Sequence, residues 1–209
     1  MARSKKKPRS FEGGYKKSDK SRRQVLDAAV VVFAKQGLAG TVQDIADAAG
    51  MSKGAVHYHF ESKDDLYERV LEHCCEAIEQ RVRGVFDAPG APMDRIRRAL
   101  HEMWAVRREG APEIRVLGEL HLLARQSPAI RRAFAAALRR ARKHIVDTGF
   151  TELVAMGLRP RVSLDIAPRL LLASLDGLAL QHEIDPLDEK EEVELLRAIE
   201  QSAMALFDL

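Results

Sequence analysis

Two short helical patterns meet at a glycine between Thr41 and Val56, and no other stretch constrains the fold of this chain so tightly. Val42, Ile45 and Ala49 share one face of the first run, and Thr41 with Asp44 three residues on has the form of a capping box. Gly50 ends that run, and Ser52 can cap the next, which reaches about Phe60. Ala46 is small enough for the second helix to cross close over the first, and Gly50 tolerates the positive φ of a tight turn. Ile45 and Val56 supply the apolar contact that fixes the crossing. This is a helix-turn-helix, a geometry that sets its second helix into a DNA major groove.

The remaining periodicity is helical as well. Val25, Leu26, Ala29, Val32 and Phe33 form a stripe that begins near Ser18 to Ser21 and stops at Gly37. Ser62 with Asp65 opens a long helix carrying Leu66, Val70, Cys74, Ile78 and Val82 at four-residue spacing. After Pro89-Gly90-Ala91-Pro92, helices are predicted at about 93–108, 112–126, 128–156, 163–183 and 190–208. Gly110, Ser127-Pro128, Gly157 with Pro160, and Asp185-Pro186 mark the breaks. No alternating strand pattern of useful length occurs, so the expected class is all-α with about nine helices. Three regions follow: a flexible basic arm over 1–17, a three-helix helix-turn-helix domain over 18–66, and a helical ligand-binding and dimerisation domain over 67–209.

Charge is uneven. Residues 1–23 hold ten basic residues against two acidic ones, a net +8, which leaves −5 for the rest of a chain whose total is +3. A basic arm ahead of an acidic body points to a polyanion near the N-terminus; a solvated tail is the alternative. The only cysteines, Cys74 and Cys75, are helix neighbours that point about 100° apart, so no disulfide framework is expected. With no signal-peptide apolar run and no membrane-length apolar stretch, a cytoplasmic protein is expected. His57 and His59 diverge on a helix, so no metal site is expected there, and no cofactor motif is present.

The run Thr41 to Leu66, with Ser52-Lys53-Gly54, His57-Tyr58-His59-Phe60 and Ser62-Lys63-Asp64-Asp65-Leu66, closely resembles the TetR family of repressors. The preceding Val25-Leu26-Asp27-Ala28-Ala29 to Phe33-Ala34-Lys35-Gln36-Gly37 is similar to that family's first helix, so the resemblance covers about residues 22–66. It implies a non-enzymatic, dimeric, ligand-responsive repressor of double-stranded operator DNA. Thr41 would contact phosphate from the start of the second helix. Gln43 and Ser52 stand beside it, and Lys53, Gly54 and Ala55 would form the entering end of the recognition helix. His57 and Tyr58 would reach bases or phosphate, and His59 and Lys63 would bond phosphates. The order here departs from the commoner one, in which an aromatic stands at position 57 and a histidine at position 58.

So short a recognition helix reads few base pairs, and two copies on a twofold axis read a palindrome with centres about 34 Å apart or a multiple of it. The stretch Ile166 to Leu180 is apolar almost all round, which buries a helix on two sides. Together with a stripe on the last helix it resembles the family's dimer interface, with Leu171, Leu175, Leu178, Leu196, Ile199 and Ala203 at the contact; a monomer with one deep core is the alternative. The resemblance also implies an effector pocket in the middle helices. His101, Trp104, Leu117 and His121 would line it, for a small, largely apolar molecule. Core filling by Trp104 and plain exposure of the histidines are the other readings. Effector would move the helix starting at Lys63, altering how the two recognition helices fit the operator. An enzyme lacks support, since no Gly-x-Ser-x-Gly, phosphate loop or His-Glu-x-x-His occurs; an architectural DNA binder is the other rival.

Overall fold

The computed structural model describes residues 12–208, with side chains from Asp19 onward. The chain divides into two compact units, Met1–Val70 and Leu71–Leu209. Among the described residues the architecture is all-helical apart from one minimal strand pair.

In the first unit, α1 spans Glu12–Gln36, α2 Val42–Ala49 and α3 Lys53–His59; α4, Lys63–Phe86, starts here. The expected start of α1 near Ser18 is corrected: the helix takes in residues 12–17, which the sequence reading gave to the arm. Nothing after Pro8 other than Gly13-Gly14 opposes extending a helix that is already nucleated. The rest of the expected arm, residues 1–11, lies outside the described residues.

The expected buried stripes hold here. Val25, Ala29 and Phe33 of α1 are buried, as are Ile45, Ala46 and Ala49 of α2, Val56 of α3, Phe60 and Leu66. Gly50 caps α2 with φ +63°, and Met51 donates its N–H to the Ala46 carbonyl at 2.9 Å, closing the turn. Gly40 is a close approach: a Cβ there would come within 2.6 Å of Val32 Cγ1. The Gln24 side chain donates to the Ala49 carbonyl at 2.7 Å and ties α1 to the end of α2.

The second unit holds the rest of α4 and then α5 (Pro92–Arg108), α6 (Pro112–Ala124), α7 (Pro128–Ile145), α8 (Thr151–Ala155), α9 (Ala167–Ile184) and α10 (Glu189–Met204). A π-helical turn, Val146–Phe150, joins α7 to α8, so together they form the single run expected over 128–156. Pro92, Pro112 and Pro128 sit at the start of their helices, where a missing N–H leaves nothing unpaired. The Asp188 carboxylate and the Glu191 side chain form a capping box on α10.

Two further expectations are adjusted. α10 ends at Met204 rather than Asp208, and Phe207–Asp208 pairs antiparallel with Arg159–Pro160 as β2 and β1. Arg161 anchors that pair by donating from Nε to Asp208 at 2.7 Å. The main core joins α5, α9 and α10 through Leu100, Met103, Trp104, Leu172, Leu175 and Ile199. A second cluster of Phe150, Leu153, Ala167 and Phe207 closes the end that carries the strand pair.

Cys74 is buried and Cys75 half-buried. Burial, followed by the charge of Cys75, raises the Cys74 thiol far above its ordinary range. Burial likewise pushes Cys75 up to about 11, despite the opposing charge of Arg140. Both remain protonated at neutral pH, the opposite of the environment that activates a redox cysteine.

Candidate nucleic-acid interface

α3 is built so that most of its surface is left outside. In seven residues it buries only Val56, which faces the same unit's core. Ser52 holds its N-terminus by accepting from the Ala55 N–H at 3.2 Å. Phe60, buried just past the C-terminus and covered by the Arg22 guanidinium at 5.6 Å, holds the other end. Between these anchors Lys53, Gly54, His57 and Tyr58 are exposed, Tyr58 at 81%. An exposed tyrosine ring is an unusual use of apolar area on a free surface, and its hydroxyl and face suit a grooved polar partner.

Gly54 bears on the same surface. Its backbone is not in the left-handed region, and a Cβ there would meet nothing nearer than Ser52 Oγ at 4.0 Å. Nothing inside the unit requires a glycine, although glycine costs a helix about 0.5–1 kcal/mol relative to alanine. Close approach by a body outside the unit accounts for it.

The other residues expected to contact DNA fall into two groups. Thr41 and Gln43 are exposed at the start of α2, with their polar atoms engaged locally. Thr41 Oγ accepts from the Asp44 N–H at 3.1 Å and donates to Asp44 Oδ2 at 2.6 Å, and Gln43 donates to Asp47 at 2.8 Å. The Thr41 hydroxyl, then its backbone N–H, hold the Asp44 carboxyl below its ordinary pKa. His59 and Lys63, expected at phosphates, are bonded within the unit. His59 Nε2 lies 2.8 Å from Ser21 Oγ on α1, and Lys63 Nζ donates to the Leu38 carbonyl at 3.2 Å. Tyr67 Oη donates to the same carbonyl at 3.0 Å, so Leu38 is a shared anchor that the periodicity of the sequence could not reveal.

In the second unit the expected pocket wall is corrected. Trp104 is 1% exposed and fills the core, its Nε1 donating to Glu192 at 2.9 Å and its ring meeting His182 edge-on at 5.7 Å. His101 bonds Glu200 at 2.8 Å on the rim of an open cleft of about 350 Å³ with Arg97, Val193, Leu196 and Arg197. Leu117 is half-buried on α6, and the exposed His121 meets Phe134 of α7 at 5.5 Å. One pair thus turns to α9 and α10 and the other to α7.

The expected dimer residues are also redistributed. Leu175 and Ile199 belong to the unit's own core, with Leu171, Leu178, Leu196 and Ala203 only partly covered. The apolar residues left outside are Leu170, Leu180, Ile184 and Val193, which the sequence reading did not single out. Leu170 and Leu171 of α9, with Leu195, Ala198 and Ser202 of α10, border an open groove of about 430 Å³.

A short exposed helix pinned at both ends across a preceding helix defines a helix-turn-helix protein. Residues 25–70 match the model described as bacterial regulatory proteins of the tetR family, and the chain belongs to that family. The transcriptional repressor KstR2 of Mycobacterium tuberculosis is 36% identical over 76 residues, covering 36% of this chain and 38% of that protein. The chain thus matches well under half the length of that curated relative. The transcriptional regulator PksA of Bacillus subtilis is 26% identical over 175 residues, covering 81% and 82% of the two chains. Across nearly the whole chain the fold is that of a TetR transcription regulator from Haloarcula marismortui, with TM-score 0.74, 22% identity and coverage of 91% and 100%.

Proposed function

We propose that the chain is a sequence-specific transcriptional regulator, a repressor that binds a palindromic operator as a homodimer and leaves it when a small, largely apolar effector binds. One observation carries the reading: α3 commits only Val56 to the core and leaves Lys53, Gly54, His57 and Tyr58 outside. Lys53 and Tyr58 supply a cation and a hydroxyl for phosphate or base edges, and Gly54 admits the DNA backbone. Thr41 and Gln43 serve the flanking phosphates. Ser52 and Ala55 keep the entering end of α3 in shape. His59 and Lys63 act from behind, holding α3 and the start of α4 against α1 and its following turn.

The term repressor is carried by KstR2, and family membership supports the same sign for this chain. Effector binding in the second unit would alter operator affinity through α4, the helix within which the units meet in sequence. Residues 1–11 would add salt-dependent, sequence-independent affinity through their lysines and arginines. Such a protein acts in the cytoplasm, where its DNA is, and carries no cofactor. Among the described residues no helix is long and apolar enough to cross a membrane.

Lys53→Ala and Tyr58→Ala each test the reading. Operator affinity should fall about ten- to a hundredfold, as for loss of a contact worth about 1–3 kcal/mol, with oligomer mass and thermal midpoint unchanged. Gel shifts on native promoter DNA against random DNA measure it, and undiminished binding by both variants overturns the docking of α3.

A further inference from the structure

The outward face of α9 is apolar where a lone subunit would have it polar. Leu170 is 52% and Ile184 87% exposed, and Leu170, Ala173, Ser174, Gly177, Gln181 and Ile184 follow one another at helical spacing. At the middle of that face stands Gly177, where an added Cβ would meet nothing within 4 Å and whose backbone is ordinary helix. A glycine that nothing inside the unit requires, midway along an apolar face, is what close approach of a second helix backbone would select.

Charge runs along the same helix. Arg169, Asp176 and Glu183 recur every seven residues on one flank of the face. Asp176 is engaged by Arg107 Nε at 2.7 Å, whereas Arg169 and Glu183 are exposed and make no hydrogen bond or ion pair among the described residues. The N-terminal end is basic beyond Arg169 itself. Burial, then the charges of Arg169 and Arg139, lower the Arg142 pKa, with Asp165 opposing, so three guanidinium groups gather there. The C-terminal end is acidic: Glu183, Asp185, Asp188, Glu189 and Glu191 are all exposed, with Lys190 the one cation among them.

We infer that two copies of this chain pack α9 against α9 in antiparallel fashion, crossing at Gly177, so that Arg169 of each copy faces Glu183 of the other. Parallel packing would set basic end on basic end and acidic end on acidic end. Antiparallel packing pairs opposite charges twice, once at each end, because a twofold axis repeats every contact. At about 1.5 Å rise per residue, Arg169 lies about 12 Å from the crossing on one side and Glu183 about 9 Å on the other, within reach of long side chains. Leu170 and Ile184, each seven residues from Gly177, come to lie opposite one another. This deepens the homodimer reading above and rests on it. It adds that charge, and not apolar area alone, sets the direction of the interface.

Cysteine pairing and charge reversal test the register. Leu170→Cys and Ile184→Cys proteins are made separately, mixed, allowed to exchange subunits and oxidised, with wild type as the control for the buried Cys74 and Cys75. The mixture should yield a disulfide-linked heterodimer and neither single variant a linked homodimer. In sedimentation, Arg169→Glu and Glu183→Arg should each weaken dimerisation about tenfold, and the double variant should recover most of the loss. Both sites are exposed, and circular dichroism confirms folding of each variant. Linked homodimers of the single variants, or a double reversal that fails to recover, overturn the antiparallel register while the dimer stands. A wild type that sediments as a monomer at tens of micromolar overturns the dimer reading and this inference together.

Discussion

α3 buries one of its seven residues in its own unit, and α9 buries four of its eighteen while leaving leucine and isoleucine outside. The exposed part of α3 is mostly polar and basic, apart from Tyr58, whereas the exposed part of α9 is largely aliphatic. Each helix therefore satisfies its subunit with part of its surface and keeps another part for a partner, but the partners differ in kind. A polyanion is met by cations, a hydroxyl and a bare backbone; another copy of the chain is met by aliphatic area flanked by charges of both signs. Selection for a partner thus leaves a mark that differs from selection for a core. On α3 the mark is a glycine with no internal reason and a ring in water. On α9 it is a surplus of apolar residues beyond what one core can hold.

The contrast can be broken most severely in the second unit. Trp104 is the largest fully buried side chain, and Trp104→Ala should destabilise the protein by about 3–5 kcal/mol through the cavity left between α5, α9 and α10. Urea unfolding followed by circular dichroism measures it. A loss below about 1 kcal/mol would mean that Trp104 lines a cavity as first expected, and the division between core and outward face on α9 would need redrawing.

A smaller effect is expected at the start of α2. Thr41→Ala removes the side-chain half of the capping box and should lower stability by about 1 kcal/mol. It should also change the acid response. The Thr41 bonds depress the Asp44 pKa, so their stabilisation is complete above the ordinary carboxylate pKa and is lost as pH falls through the lowered one. Thermal midpoints of wild type and variant should therefore draw together as pH falls through that range. A gap that stays constant with pH would show that the carboxylate is not the partner that matters.

The smallest effect sharpens the comparison by its sign. Gly54→Ala should leave stability unchanged or raise it by up to about 1 kcal/mol, because the added methyl meets open space in a helix. Operator affinity should nonetheless fall several-fold. A variant both more stable and a tighter binder would remove the argument that Gly54 is kept for an outside body.

The helix-turn-helix was legible because its signals are local. Thr41 with Asp44, Gly50 and Ser52 act over three or four residues, and each cap and turn formed where its spacing placed it. The apolar residues of that unit barely exceed what its core can bury, so periodicity alone gave their direction. His59 and Lys63 escaped the same reading because their partners, Ser21 and the Leu38 carbonyl, lie 38 and 25 residues away in the sequence. The extension of α1 through residues 12–17 escaped it too, since no apolar stripe marks an exposed helical end.

In the second unit the sequence determined how many helices there are and roughly where they break, because prolines, glycines and caps act within a single turn. It could not divide Leu170, Leu171, Leu175 and Leu178 between core and exterior, since a helix apolar on every side has no preferred face until its neighbours are in place. Only the packing of α5 and α10 against α9 decided that Leu175 and Ile199 turn inward with Trp104. The same packing left Leu170 and Ile184 in water, because burial is a property of the assembled surfaces and not of any one residue.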